Sequence, residues 1–206
     1  MKTLLIAMLL ICPVPVLASG LFVEGHGGVL LGFGAEAGME FGMVRARAQV
    51  NRLDYNTTED LDNEPYDVSL KLDSKGVLVD LFPFDGSFHV TAGLYDNNNA
   101  VHANSERPVS INGSLLKHNA SADVSFSGSA GYVGLGWVFG RHNKGVTGNL
   151  ELGVMGNGGA SVDLMVQSPH PDISDSDIRA EEKKIEDDIN KYEYLPVIKF
   201  GIGYYF

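Results

Sequence analysis

The sequence is short of cysteine, of basic residues and of long apolar segments, and each shortage excludes a class of protein. Cys12 is the only cysteine among 206 residues, so a disulfide framework and a set of thiolate metal ligands are both excluded. Lysine and arginine total 15 against 26 aspartates and glutamates, and the net charge of −11 argues against nucleic acid as a partner. Beyond Ser19 no apolar run approaches the ~18 residues of a membrane-spanning helix.

Signals of enzymatic chemistry are equally scarce. The six histidines do not have the spacing of metal ligands, and no serine lies in a nucleophile elbow. Some small outer-membrane barrels modify lipids with a serine and a histidine near the outer rim. His102 or His118 with Ser110 or Ser114 could form such a pair, but no spacing favours it. We therefore expect neither catalysis nor a cofactor.

The start of the chain has the pattern of a secretory signal. Lys2 precedes an apolar run over residues 4–11, prolines at positions 13 and 15 end that run, and Ala18 ends a segment suited to cleavage before Ser19. The predicted organisation is therefore a cleaved signal at residues 1–18 followed by one domain at residues 19–206.

What the chain has in abundance is strand periodicity. From Val44 to Val50 every even-numbered residue is apolar and every odd-numbered residue is polar, which is the period of a β-strand with one apolar face. A soluble sandwich alternates in the same way, so the connections must distinguish the two classes. The alternation recurs in residues 68–73, 88–92, 149–152 and 198–206.

Short and long connections alternate along the chain, as they do in outer-membrane barrels, where short turns lie in the periplasm and long loops outside. With the first strand assigned to residues 20–25, the count predicts an all-β, eight-stranded, antiparallel up-and-down transmembrane β-barrel. A short helix is expected in the last external loop, where Ile178, Ile185 and Ile189 share one face. The short connections are residues 36–39, 83–86 and 140–145, and the long ones are residues 54–67, 96–121 and 158–191.

Placing the apolar set on the lipid face directs the intervening polar residues into the lumen. An eight-stranded barrel is only wide enough for its own side chains, and buried charges are costly unless paired. A salt-bridged plug is therefore the first interpretation and a narrow polar path the second, with Asp73 the nearest acid to Arg45 and Arg47. A slip in the alternation after Ser74 predicts a bulge near Gly76. The lumen-facing candidates are Arg45, Arg47, Gln49, Lys71, Asp73, Lys75, His89, Glu151 and Lys199.

Two of the long connections carry nearly all of the negative charge. Charge runs usually form only a solvated surface, but a rim of one sign at a barrel mouth also concentrates cations. We define the acidic mouth as Glu59, Asp60, Asp62, Glu64, Glu181, Glu182, Glu186, Asp187 and Asp188.

The end of the chain resembles the C-terminal signal of outer-membrane barrels. Lys199, Gly201, Tyr204 and Phe206 have the spacing of a polar residue, a glycine and two hydrophobic residues that the barrel assembly machinery recognises. This machinery and outer-membrane lipid are therefore the expected partners.

A narrower resemblance involves residues 181–197, which look like the acidic helix and last strand of the CarO-type family, while residues 72–80 and 131–137 are similar to related small barrels. The resemblance implies a small barrel in the outer membrane of a Gram-negative bacterium and supplies no catalytic residues. CarO-type proteins are linked to uptake of basic amino acids such as ornithine and to carbapenem susceptibility. Two hypotheses follow: a porin-like barrel that passes small cationic solutes, or a non-conducting structural or surface-interaction barrel with a filled lumen.

Overall fold

The strands form a β-sheet that closes on itself as a barrel, and their side chains alternate between the lumen and the outer face. The computed structural model describes residues 20–61, 64–105, 109–111, 114–116, 120–156, 158–166 and 174–206, so the predicted signal at residues 1–18 lies outside the described residues. The elements are β1 Gly20–Val29, β2 Gly32–Phe41, β3 Val44–Leu61, β4 Glu64–Leu81, β5 Phe88–Ser105, β6 Val109–Ile111, β7 Ser114–Leu116, β8 Ala120–Phe139, β9 Gly145–Gly156, β10 Ala160–Val166, α1 Asp175–Asn190 and β11 Tyr194–Tyr205.

Eight of these strands form the barrel, which confirms the predicted architecture. The ring runs β8, β5, β4, β3, β2, β1, β11, β9 and back to β8, with every pairing antiparallel. The first and last strands pair through Phe22 and Tyr205, so closure leaves no exposed edge in the ring. No helix in the described residues has the length and apolar character needed to cross a bilayer.

Three of the short turns lie at one end of the barrel and the β1–β2 turn lies at the other, and the first of the three is not where the sequence predicted it. Residues 36–39 lie inside β2, and the chain turns at Gly42, whose φ of +60° suits glycine. Glu36 and Glu40 face the lumen while Ala37 and Met39 face outward. Small outward residues made the alternation of this strand weak, which is why the prediction placed a turn there.

At the other end, two of the predicted long loops are strand extensions. β3 and β4 pair one to one from Val44 with Leu81 to Leu61 with Glu64, and β5 pairs with β8 as far as Ser105. Both faces of such a ribbon lie in water, so the residues need no apolar alternation and resemble loop sequence. Residues 54–61, 64–67, 96–105 and 120–121 of the predicted loops are therefore strand, and β6 and β7 between them form a separate two-stranded sheet.

The band of outward apolar residues that faces lipid ends partway along these strands. This corrects the prediction of which β4 residues face the lumen. Outward residues change from Val50 to Arg52 on β3, and Val50 pairs with Lys75 on β4. Lys71 and Lys75 are exposed and Asp73 is half-buried on the same outward side, so none of the three enters the lumen. They lie beyond the apolar band, where the outward face changes from apolar to polar. The inward residues of β4 are the even-numbered ones from Leu72 to Asp80.

The predicted bulge near Gly76 is likewise absent from this described stretch. Gly76 pairs with Gln49 on β3 and with Tyr95 on β5 without a change of register on either side. The slip in alternation therefore has a different cause, namely the passage of β4 out of the apolar band.

Substitutions on the outward face of β4 test the position of the band. We expect Val79→Arg to lower the free energy of unfolding by about 2 kcal/mol, because arginine would contact hydrocarbon. Asp73→Arg, six residues along the same face, should change the free energy by less than about 0.5 kcal/mol. Urea unfolding of the protein in lipid vesicles measures both, and equal losses would contradict the assigned band.

Candidate functional site

The inner half of the lumen holds a cluster of buried charges. Six of the nine lumen-facing candidates lie there, each at most 3% exposed: Arg45, Arg47, Gln49, His89, Glu151 and Lys199. Sequence reasoning missed the buried acids Glu24, Glu36, Glu40 and Asp80 and the buried Arg141. The alternation of Asp80 with Val77, Val79 and Leu81 was the signal that could have revealed it.

Arg47 stands at the centre of this cluster and contacts acids from three strands. Its guanidinium lies 2.7 Å from Glu36 on β2, 2.6 Å from Glu151 on β9 and 3.1 Å from Asp80 on β4. Arg45 also contacts Asp80, at 2.6 Å. The acid that pairs with both arginines is therefore Asp80 rather than the predicted Asp73, because Asp80 shares their inward face.

Lys199 extends the pairing to the last strand. Its Nζ lies 2.8 Å from Glu36 and 3.4 Å from Glu151, and Tyr132 donates a hydrogen bond of 2.7 Å to the other oxygen of Glu151. We call Arg45, Arg47, Lys199, Glu36, Asp80 and Glu151 the lumen network. Every member is nine-tenths or more buried, so removing one partner leaves an uncompensated charge.

The inner mouth is closed by Arg141, which lies in the turn between β8 and β9. Its guanidinium lies 3.0 Å from Glu40 and donates to the carbonyl oxygens of Gly86, at 2.8 Å, and Gly42, at 2.7 Å. It also lies 3.8 Å from the ring centre of the buried Phe82. One side chain thus joins three short turns across the opening.

An apolar layer fills the lumen on the outer side of the network. Leu31, in the turn between β1 and β2, is 1% exposed and folds inward. Tyr95 and Tyr132 meet edge to face with ring centres 5.6 Å apart. The layer consists of Leu31, Leu78, Tyr95, Ala130, Tyr132, Met155 and Val197. The lumen is therefore occupied at successive levels, as expected for an eight-stranded barrel.

The buried charges do not balance. Among the described buried residues there are five acids and four bases besides the histidines, so one negative charge is in excess. Glu24 lies outside the ion pairs described above and accepts a hydrogen bond from Asn149 at 3.1 Å. Glu24, His26 and Glu36 offer ligand atoms within 4.8 Å of one another. A buried carboxylate of this kind is neutralised by a proton or a cation, and these three residues are where either would be held.

The acidic mouth is not one free rim. Glu59, Asp60 and Glu64 belong to the outer ends of β3 and β4, and Asp62 lies outside the described residues. Glu181, Glu182, Glu186, Asp187 and Asp188 are on α1.

Helix α1 lies along the edge of β10 and uses part of its acidic face to cover it. Glu182 and Glu186 accept hydrogen bonds of 2.9 Å from the backbone N–H groups of Leu164 and Val162, and Asn190 accepts one of 2.9 Å from Ala160. Four residues rise about 6 Å on a helix and two residues about 6.7 Å on a strand, so the two repeats match. Glu182 and Glu186 therefore accept hydrogen bonds from the edge of β10, which corrects their predicted role as free charges of the acidic mouth.

Other acids of α1 pair within the helix region. Glu181 lies 3.1 Å from Lys184, and Asp188 lies 2.5 Å from Lys191. The hydrogen bond from Lys191 holds the pKa of Asp188 below its ordinary value. Asp187 is exposed. The field at the outer surface is accordingly weaker than the count of acids suggested.

The residues of the predicted assembly signal divide between the two faces of β11. Lys199 faces the lumen, and Gly201 lies so close to the Glu24 carboxylate that a Cβ there would overlap it. Tyr204 and Phe206 face outward, with ring centres 5.1 Å apart. Their recognition by the assembly machinery stays a prediction.

Crystal structures of CarO proteins from Acinetobacter baumannii have the same fold. CarO aligns with a TM-score of 0.63 and 21% identity over 92% of this chain and 98% of that chain. CarO2 aligns with a TM-score of 0.66 and 19% identity over 91% of this chain and 98% of that chain. A major outer membrane protein of Thermus thermophilus aligns with a TM-score of 0.47 and 14% identity over 91% of this chain and 99% of that chain. No protein-family model and no curated protein matches the sequence.

The CarO-type fold is thus confirmed. The apolar outward band is the surface that such a barrel presents to the hydrocarbon of a membrane.

Two isosteric substitutions test the charge balance of the lumen. We expect Glu36→Gln to lower the free energy of unfolding by about 3 kcal/mol or more, because Arg47 and Lys199 lose a shared counter-ion. Glu24→Gln should leave stability unchanged or raise it, since it removes the charge in excess. Urea unfolding in vesicles measures both, and a larger loss for Glu24→Gln would show that the balance is misassigned.

A second pair of variants tests the covering of β10. Changing Glu182 and Glu186 together to alanine should detach α1 and expose the N–H groups of Val162 and Leu164, increasing their hydrogen exchange at least tenfold. The matched change to glutamine keeps an acceptor oxygen at each position and should preserve protection. Unchanged exchange in the alanine variant would mean that the two glutamates do not hold the edge.

Proposed function

We propose that this chain, which has the CarO fold, is a non-conducting outer-membrane barrel that holds an acidic platform at the cell surface. The observation that carries the proposal is the filling of the lumen. Arg141 lies across the inner mouth, the lumen network occupies the next level and the apolar layer lies beyond it. Water or solutes could pass only if side chains at each level moved together.

The extended strands supply the other half of the proposal. β3 and β4 continue past the lipid-facing band as a paired ribbon, and α1 is fastened to β10 by four side-chain hydrogen bonds. Helix α1 carries seven acids against three bases, and five of these acids remain when Glu182 and Glu186, which contact β10, are set aside. An anchored surface of this charge suits contact with cationic surfaces or peptides outside the cell.

A second candidate function is passage of small cationic solutes such as basic amino acids. The excess negative charge among Glu24, His26 and Glu36 favours it, because a cation crossing the lumen would meet a counter-charge at mid-height. The candidate requires the Leu31 turn and Arg141 to leave the lumen.

Vesicle swelling separates the two functions. We expect purified protein to give no swelling with ornithine or glutamate, while a general porin in parallel vesicles gives both. Vesicles with Arg141→Ala or Leu31→Ala alone should also show no swelling, because each substitution removes only one of the levels at which side chains fill the lumen.

Swelling of wild-type vesicles would contradict the closed barrel. If ornithine then entered faster than glutamate, and the difference shrank as salt shortened the screening length from its ~8 Å at physiological ionic strength, the cation path would be the function. Equal entry of both solutes would indicate an unselective pore and exclude both candidates.

A further inference from the structure

Four polar residues form a continuous row on the outward face of the extended strands. Asn56 on β3 pairs with Ser69 on β4, Ser69 pairs with His102 on β5, and His102 pairs with Asp123 on β8. Residues directly opposite each other on antiparallel strands have Cβ atoms about 4.5–5.5 Å apart. The order of the row is therefore amide, hydroxyl, imidazole and carboxylate, with each neighbour within side-chain reach of the next.

The imidazole of His102 is oriented by the carboxylate on one side. Its Nδ1 is hydrogen-bonded to Oδ1 of Asp123, which leaves Nε2 on the opposite edge of the ring, while the other strand neighbour of His102 is Ser69 on β4. His102 and Asp123 have side chains 47% and 43% exposed, so the pair is accessible from solvent. A histidine held through Nδ1 by a carboxylate, with Nε2 free to accept a proton, is the arrangement of a general base.

A cleft lies in front of the row. It has a volume of about 390 Å³ and is lined by Asn56, Thr58, Asp67, Ser69, His102 and Asn104. Thr58 donates a hydrogen bond of 2.8 Å to Asp67 and so fixes one wall. Ser69 and His102 thus line one cleft, which is large enough for a small acyl group.

The height of the cleft restricts what can enter it. The outward apolar residues of β4 end at Val77, eight residues from Ser69, which is about 27 Å along a strand. The cleft is consequently above the hydrocarbon of the membrane, among water and sugar or headgroup chemistry. Esters of polar, water-soluble molecules fit this position, whereas acyl bonds buried in the bilayer do not.

We propose that Ser69, His102 and Asp123 hydrolyse carboxylic esters at the outer surface, with Ser69 as nucleophile, His102 as general base and Asp123 as the positioning residue. The Ser69 hydroxyl proton passes to Nε2 of His102 as Oγ bonds to the carbonyl carbon, and the carbonyl electrons move to its oxygen beside the Asn56 amide. Collapse breaks the ester C–O bond, and the leaving alcohol takes the proton from His102. Water then attacks the acyl group in the same way, releasing the acid and restoring Ser69.

This proposal departs from the expectation of no catalysis, which rested on spacing along the chain. The pairs considered there joined His102 or His118 to Ser110 or Ser114; His118 lies outside the described residues, and Ser110 and Ser114 lie on β6 and β7. The neighbour in the row is Ser69, which is brought beside His102 only by the β4–β5 register.

Labelling with a fluorophosphonate probe, which bonds to activated serines, tests the proposal on the folded protein in vesicles. Wild-type protein should be labelled, Ser69→Ala should lose the label completely, and Ser125→Ala should keep it. Ser125 is a matched control because it is an exposed serine on the outward face of β8, two residues from Asp123.

Hydrolysis of p-nitrophenyl acetate supplies the second readout. We expect Asp123→Asn to lower the rate at least tenfold, because the imidazole of His102 then loses the carboxylate that orients it. The gel shift between unheated and boiled samples checks that each variant is folded. Labelling that persists in Ser69→Ala, or folded wild-type protein that is unlabelled and no faster than Ser69→Ala, would overturn the proposal and leave His102 and Asp123 as a structural cross-strand pair.

Discussion

The contact of Arg47 with Glu36, Asp80 and Glu151 is the interaction on which the rest of the barrel depends. A guanidinium without water is tolerated only when carboxylates take the place of its hydration. Those carboxylates come from strands β2, β4 and β9, and Lys199 adds β11. Shifting any of these strands by one residue would turn its charge toward lipid, so the network selects a single register around the ring.

The same network explains why the lumen is filled by side chains. An eight-stranded ring has room for side chains alone, and charged side chains that must pair with one another draw together across that room. Arg141 repeats the principle at the inner mouth, where it replaces water at the carbonyl oxygens of two turns. The apolar layer with Leu31 then excludes water from the outer side of the network.

Outside the membrane the groups that need partners are the unpaired backbone N–H groups at the strand edges, whereas within the lumen they are the buried charges. β10 extends the sheet along β8 and leaves a row of N–H groups, to which α1 presents Glu182, Glu186 and Asn190. Acids that looked like a rim for attracting cations therefore serve first as hydrogen-bond acceptors for an edge. The ribbons held in this way bring Ser69, His102 and Asp123 side by side on an outward face.

The sequence by itself determined the class of fold, the number of strands, the helix and the burial of Arg45, Arg47 and Lys199. These follow from local chemistry, since alternation, turn residues and the helical spacing of three isoleucines are patterns of residues that lie close together in the sequence. Only the tertiary structure decided that Asp80 rather than Asp73 pairs with the arginines, that Lys71 and Lys75 face outward, and that Ser69 adjoins His102. Such outcomes depend on where each strand leaves the lipid and on the register between strands distant in sequence, and neither quantity is carried by any local pattern.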